Sequence, residues 1–263
     1  MAHIDHTTAW VARVALAVVA LAQVGCATYT TPGGPANLSK VNRTDVAEAF
    51  RREPAAQFPA KLAIVRLQQS GYRSQTREAY GAGNYSVLTD RDVETDDAFR
   101  ALETMPQVRG LAPLNRIVLP DRLDDAGDLR EAAAGLRADV LIMYTIGTTF
   151  RVDEAEIGPL GVITLGTLPN RDARVRATAA AAFVDVRTGF VYGLAEKSAE
   201  ANERASAWRT RAAIDGARRR AEKDAFDALV PELQRAWAGI TAEHARPPAA
   251  PPASEAQNPA PQS

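Results

Sequence analysis

Nine residues, Ala138-Asp139-Val140-Leu141-Ile142-Met143-Tyr144-Thr145-Ile146, constrain this chain more than any others. They are apolar almost without interruption and do not alternate, so they read as a strand covered on both faces, in the interior of a sheet. Immediately before them, residues 129–136 place Ala and Leu at helical spacing with Arg and Glu between, and Asp128 is expected to cap that helix. A helix running straight into a buried strand demands other strands beside it and helices above and below. Nothing in the stretch carries catalytic chemistry.

The flanking chain supplies those partners. Residues 44–52 suggest a short helix opened by Thr44, and residues 61–67 (KLAIVRL) a strand with few polar interruptions. Residues 85–89 (YSVLT) read as a second short strand and 95–103 as a helix with Ala98, Phe99 and Leu102 on one face. Residues 114–119 (LNRIVL), between Pro113 and Pro120, are expected as an edge strand, where proline is tolerated. Residues 174–186 alternate through Val175, Ala177, Ala179, Ala181 and Phe183, turn at Arg187-Thr188-Gly189 and return through residues 190–201 as a hairpin. Phe226, Leu229, Val230, Leu233, Ala236, Trp237 and Ile240 form the apolar stripe of a last helix over residues 205–242, with Pro231 expected to bend it or start a second one. The expected fold is therefore α/β (an α+β sandwich): one domain with a mixed sheet packed by helices, the longest at the C-terminal end.

The start of the chain reads as an address. Arg13 precedes nine apolar residues, 14–22, a length that fits a signal peptide and falls well short of the roughly 18 or more of a spanning helix. Gly25-Cys26 then resembles the end of a bacterial lipobox, in which the chain is cut before a cysteine that receives lipid, such as palmitate. Gln23 departs from the apolar residue preferred there, and an ordinary secretory signal cut nearby is the alternative. Cys26 is the single cysteine, which excludes an intrachain disulfide or a cysteine-built metal site. The expected organisation is a signal peptide over residues 1–25, a tether over 26–43, the domain over 44–243 and a disordered Pro/Ala-rich tail over 244–263. The expected place is the cell envelope, on the outer membrane facing the periplasm.

Candidate chemistry is sparse. The histidines, His3, His6 and His244, lie outside or at the margin of the domain, leaving no histidine base or relay inside it. Asp90, Asp92, Glu94 and Asp96 alternate like the opening of a calcium loop. Thr95 stands at the sixth position where glycine is needed, however, and Ala101 at the twelfth where glutamate is needed. Gly81-Ala82-Gly83 lacks the third glycine of a dinucleotide fingerprint. Arg218-Arg219-Arg220 is interleaved with Asp215, Glu222, Asp224 and Asp227, which favours a mixed solvated face. With a net charge of −1, no nucleic-acid partner is expected, and no catalytic residue, metal or cofactor is assigned.

The succession of residues 61–67, 129–146 and 177–200, followed by the terminal Ala-rich helix, resembles the curli-secretion lipoprotein superfamily. It is also similar to the amino-terminal domain of the Tol-system propeller protein and to lipoprotein activators of penicillin-binding proteins. The residues that carry the likeness are Ala138-Asp139-Val140-Leu141 and Asp185-Val186-Arg187-Thr188-Gly189. These motifs are short and structural. The resemblance implies a periplasmic module that binds other proteins, and it brings no catalytic residues.

One segment is left over. Residues 152–173 form an excursion whose centre, 157–168, is apolar and rich in glycine. It reads as a loop or short strand folded over the sheet, or as an exposed lip in which Leu160, Val162, Ile163, Leu165 and Leu168 dock a partner or another copy. Its twelve residues supply one membrane strand of the two that a pore hairpin needs. The expected function is that of a lipid-anchored, protein-binding module in envelope assembly or secretion. A periplasmic hydrolase using carboxylates and an oligomeric structural subunit are the alternatives.

Overall fold

A computed structural model describes residues 32–41, 45–154, 171–205 and 210–245. Its main sheet is built on β1 (Ala60–Gln69), β6 (Val140–Glu154), β7 (Arg171–Asp185) and β8 (Val191–Ala205). β1 and β6 run parallel, and β6, β7 and β8 form an antiparallel meander. The far side of β1 is shared by two short strands, β3 (Tyr85–Leu88), antiparallel to its second half, and β4 (Val108–Pro113), parallel to its first. A separate two-stranded piece pairs β2 (Ala82–Gly83) with β5 (Arg122–Leu123), so the glycines around Ala82 serve a strand and turn. Helical elements are the single turns α1 (Leu38–Val41) and α2 (Val46–Ala49), then α3 (Asp96–Glu103), α4 (Ala126–Gly135) and α5 (Thr210–His244). The mixed sheet with a long C-terminal helix is the expected fold.

Residues 140–146 are buried throughout, as an unalternating run in a two-sided sheet must be. One face packs under α3 and α5: Leu62, Ile64, Ile142, Tyr144 and the alternating Val175–Phe183 set meet Phe226, Leu229, Leu233 and Trp237. Trp237 seals this layer, its ring 5.7 Å from both Phe58 and Phe183 and its Nε1 donating to the Pro106 carbonyl at 2.7 Å. The other face packs under α4, where Leu129, Ala132 and Ala133 cover Ala63, Val65, Leu141 and Met143.

Several local expectations shift. α4 begins earlier than expected: Asp125 is its N-cap, and Asp128 closes the capping box by accepting from the Asp125 N–H at 3.2 Å. Asp45, not Thr44, caps α2. The edge strand lies at residues 108–113, not 114–119. Leu114 donates one more ladder bond to Ile64 and then, with Leu119, tucks under the α4 layer, while Ile117 is 92% exposed. α5 continues through Pro231 as one helix. The strands of the β6–β7 hairpin run on to Glu154 and from Arg171, so both ends of the expected excursion are paired strand. Finally, Ala36 is buried and Pro35 bridges Gln68, so the chain meets the sheet before residue 44.

Candidate functional site

Two features stand out, and one is a buried ion network between α5 and the sheet. Arg66 projects from β1 and donates to Glu94 at 3.0 Å and to Glu222 at 3.1 Å. Arg218, one helical turn before Glu222, donates to the same Glu222 oxygen at 2.9 Å, to Asp92 at 3.1 Å and through Nε to Asp215 at 3.0 Å. The Tyr144 and Thr148 hydroxyls of β6 complete Glu94 and Glu222, each at 2.9 Å. Glu94 also accepts from the backbone N–H groups of Asp92 and Val93. Burial alone would raise the Glu94 carboxyl, but the Arg66 guanidinium and those N–H groups outweigh it and hold the group below its ordinary range. Burial opposes the charge on Arg66 and Arg218 as well. The carboxylates around them win, keeping both guanidinium ions firmly protonated. Burial pushes the neighbouring Tyr72 hydroxyl up to about 12.

This network corrects the reading of Arg218-Arg219-Arg220 as a solvated face: Arg218 is 0% exposed. A signal was present, because Ile214, Arg218, Glu222, Phe226 and Leu229 share one stripe at i, i+4 and i+3 spacing. Extending the apolar stripe toward the start of α5 places Arg218 and Glu222 on the buried side. Asp92 and Glu94, considered for calcium, are engaged by arginines, and Thr95 caps α3 by accepting from Ala98 N–H. With each carboxylate bound to a guanidinium, the cluster is suited to clamping α5 onto β1 and β6.

The motif aspartates are likewise structural. Asp139 accepts from Lys61 N–H, from Arg109 and from Arg187, joining the starts of β1 and β6 to the β7–β8 turn. Asp185 accepts from Arg187 and Thr188 N–H through one oxygen, and from Ala55 N–H and the Tyr192 hydroxyl through the other. Burial would raise this carboxyl too, but the Tyr192 and backbone bonds lower it on balance. Both motifs therefore bind the chain's own backbone at one end of the sheet.

The second feature is an open apolar face. On the α4 side of the sheet the core reaches Ala182 and Val184 of β7, which are buried, and stops at β8, whose Val191 and Leu194 stay exposed. Ala180, Ala182, Val184, Val191 and Leu194, with Met143 and Leu38 at the margin, line a hollow of about 630 Å³. Leu194 is 72% exposed and Val191 39%. Neither residue drew notice in the sequence, since β8 is mostly polar and its two faces differ only slightly. Cys26 and the lip residues Leu160, Val162, Ile163, Leu165 and Leu168 lie outside the described residues.

No known family model matches the sequence, and no curated protein resembles it closely enough to count as a relative. Among solved structures, the fold is similar to a Xanthomonas campestris protein assigned to the DUF330 family, with a TM-score of 0.33 and 11% identity over 72% of this chain and 93% of that one. A Helicobacter pylori protein described as a homolog of the neuraminyllactose-binding hemagglutinin matches with a TM-score of 0.32 and 10% identity, covering 72% and 93%. Likeness at this level carries no functional argument.

Proposed function

We propose that this protein is a lipid-anchored envelope protein, on the outer membrane and facing the periplasm, whose α/β domain binds another protein in an assembly or secretion system. The observation that carries the binding role is the apolar hollow at the β7–β8 edge of the sheet, where Leu194 and Val191 of β8 stand 72% and 39% exposed over a floor of buried Ala182 and Val184. A contiguous apolar hollow bordered by Glu196 is the surface pattern of a protein-docking site. The basic, apolar, Gly25-Cys26 order of the amino terminus supports the anchor, and the resemblance to periplasmic protein-binding lipoproteins agrees with both parts.

Two measurements test the reading. Cys26→Ala should move the protein from the membrane to the soluble periplasmic fraction; unchanged fractionation sinks the anchor. A photocrosslinking residue at Leu194 in cells should trap a partner that the same residue at exposed Ala134 does not. Equal trapping at both positions removes the docking role, and trapping of a second copy of this chain assigns the face to self-assembly.

A further inference from the structure

The β7–β8 turn draws two arginines from distant parts of the chain to one point. Arg130 of α4 donates through Nε to the Val186 carbonyl at 3.0 Å and through Nη2 to the Arg187 carbonyl at 2.6 Å. Arg52, just beyond α2, donates through Nη1 to the Gly189 carbonyl at 3.2 Å. A Cβ on Gly189 would lie 2.9 Å from Arg52 Nη1 and 3.0 Å from Arg130 Nη1, so the two guanidinium groups flank one spot on the turn. Like charges held this close repel, and each disfavours the ionised form of the other.

The carboxylates of this pole are engaged elsewhere. Asp185 uses both oxygens on the Arg187, Thr188 and Ala55 N–H groups and the Tyr192 hydroxyl. Asp139 uses its own on Lys61 N–H, Arg109 and Arg187. Glu48 meets Arg52 Nη2 at 3.2 Å, in an exposed pair of the kind that contributes little. No carboxylate among the described residues forms an ion pair with the half-buried Arg130, and its Nη1 makes no hydrogen bond among them. Burial, and then the charge of Arg52, weaken the hold of the Arg130 guanidinium on its proton, which Asp185 and Asp125 offset only in part. Arg66 and Arg218 are more deeply buried, yet the carboxylates around them reverse that effect.

We propose that Arg52 and Arg130 form a binding site for a phosphate group, either inorganic phosphate or a phosphomonoester on a lipid headgroup, with the β7–β8 turn as its floor. Such a group carries close to two negative charges at neutral pH and three strong acceptor oxygens. It therefore balances both guanidinium ions at once, and the planar fork of arginine matches its geometry. A carboxylate brings one charge and leaves half of the repulsion in place. The site needs neither the lipid anchor nor the apolar hollow.

The test titrates the full-length protein, in a nonionic detergent and at an ionic strength held constant with chloride, with inorganic phosphate and separately with dihexanoyl phosphatidic acid. Phosphorus NMR line widths follow the binding. At least one probe should bind saturably, and Arg52→Gln and Arg130→Gln should each weaken it about ten-fold, the loss expected for one charge-assisted contact. Arg235→Gln, which removes an exposed arginine from α5, should leave binding unchanged. Arg130→Gln also removes two bonds to the turn; where melting shows that it has not folded, Arg52→Gln carries the test alone. Binding of phosphatidic acid without phosphate assigns the site to a lipid headgroup, and the reverse assigns it to the free ion; either result supports it. Binding of neither probe, or equal weakening in all three variants, overturns the site. Tighter binding of a hexaglutamate peptide than of either probe would assign this pole to an acidic protein and overturn it as well.

Discussion

Arg218 meets three carboxylates, Asp92, Asp215 and Glu222, in a place that water does not reach. Removing it takes the buried partner from Asp92 and leaves Asp215 to the exposed Arg219 and Glu222 to Arg66, so three clustered carboxylates lose the charge between them and Arg218→Met should destabilise the domain by about 3–5 kcal/mol. Arg218→Lys keeps the charge but cannot serve three partners with a planar fork, and should fall between the variant and the native protein. Urea unfolding of the two variants measures both. The network also sets an acid limit. Glu94 and Asp185 have carboxyls held below their unfolded values, so their contribution is complete above the unfolded carboxylate pKa of about 4 and is lost as pH falls through the lower folded values. Urea midpoints should be flat from neutral pH down to about 5 and drop below about 4. Glu94→Gln should flatten part of that drop, and an unchanged acid limb in this variant would show that Glu94 is not a source of it.

Among the elements, those that bury a repeating face were legible. The strand over residues 140–146 is apolar on both faces and is buried on both, while the alternation Val175 to Phe183 and the stripe Phe226 to Ile240 each repeat a burial period that the structure follows. β4 was not legible, because Val-Arg-Gly-Leu-Ala-Pro is half exposed and owes its strand geometry to β1 alongside it. LNRIVL is more apolar, but it serves as a plug: Leu114 and Leu119 turn inward beneath α4 without a continuous ladder. The turn at Gly189 was legible for a local reason, since its φ of +73° suits glycine. Gly189→Ala should therefore cost about 1 kcal/mol or slightly more from backbone strain. Its added Cβ meets only the movable ends of Arg52 and Arg130. A thermal melt lowered by about 2–4 °C is expected for a domain of this size, and an unchanged melt would show that the hairpin relaxes freely.

At the scale of the whole molecule, the layers of the sandwich are unequal. α3 and α5 span one face of the sheet, whereas the other is served by the ten-residue α4 with the segment around Ala36 and Leu38 and the plug of Leu114 and Leu119, which bury Ala182 and Val184 of β7 but leave Val191 and Leu194 of β8 exposed. Nothing in the sequence announces this gap, because it follows from where a ten-residue helix lies across wide strands. The inequality separates two residues on the same face. Val184 is fully buried, and Val184→Asp should place an unpaired charge in the core and cost several kcal/mol, enough to unfold a marginal domain. Leu194 is 72% exposed, and Leu194→Asp should change stability by no more than about 0.5 kcal/mol. If a partner covers this face, Leu194→Asp should nonetheless abolish its capture, because desolvated apolar anchors dominate interface energy. Val162→Asp, in the apolar segment 157–168, provides the comparison. Partner loss at Val162 with full capture by the Leu194 variant would move the docking site from the sheet to that segment. Loss at Leu194 alone, with both variants folded by thermal melt, fixes it on β7 and β8.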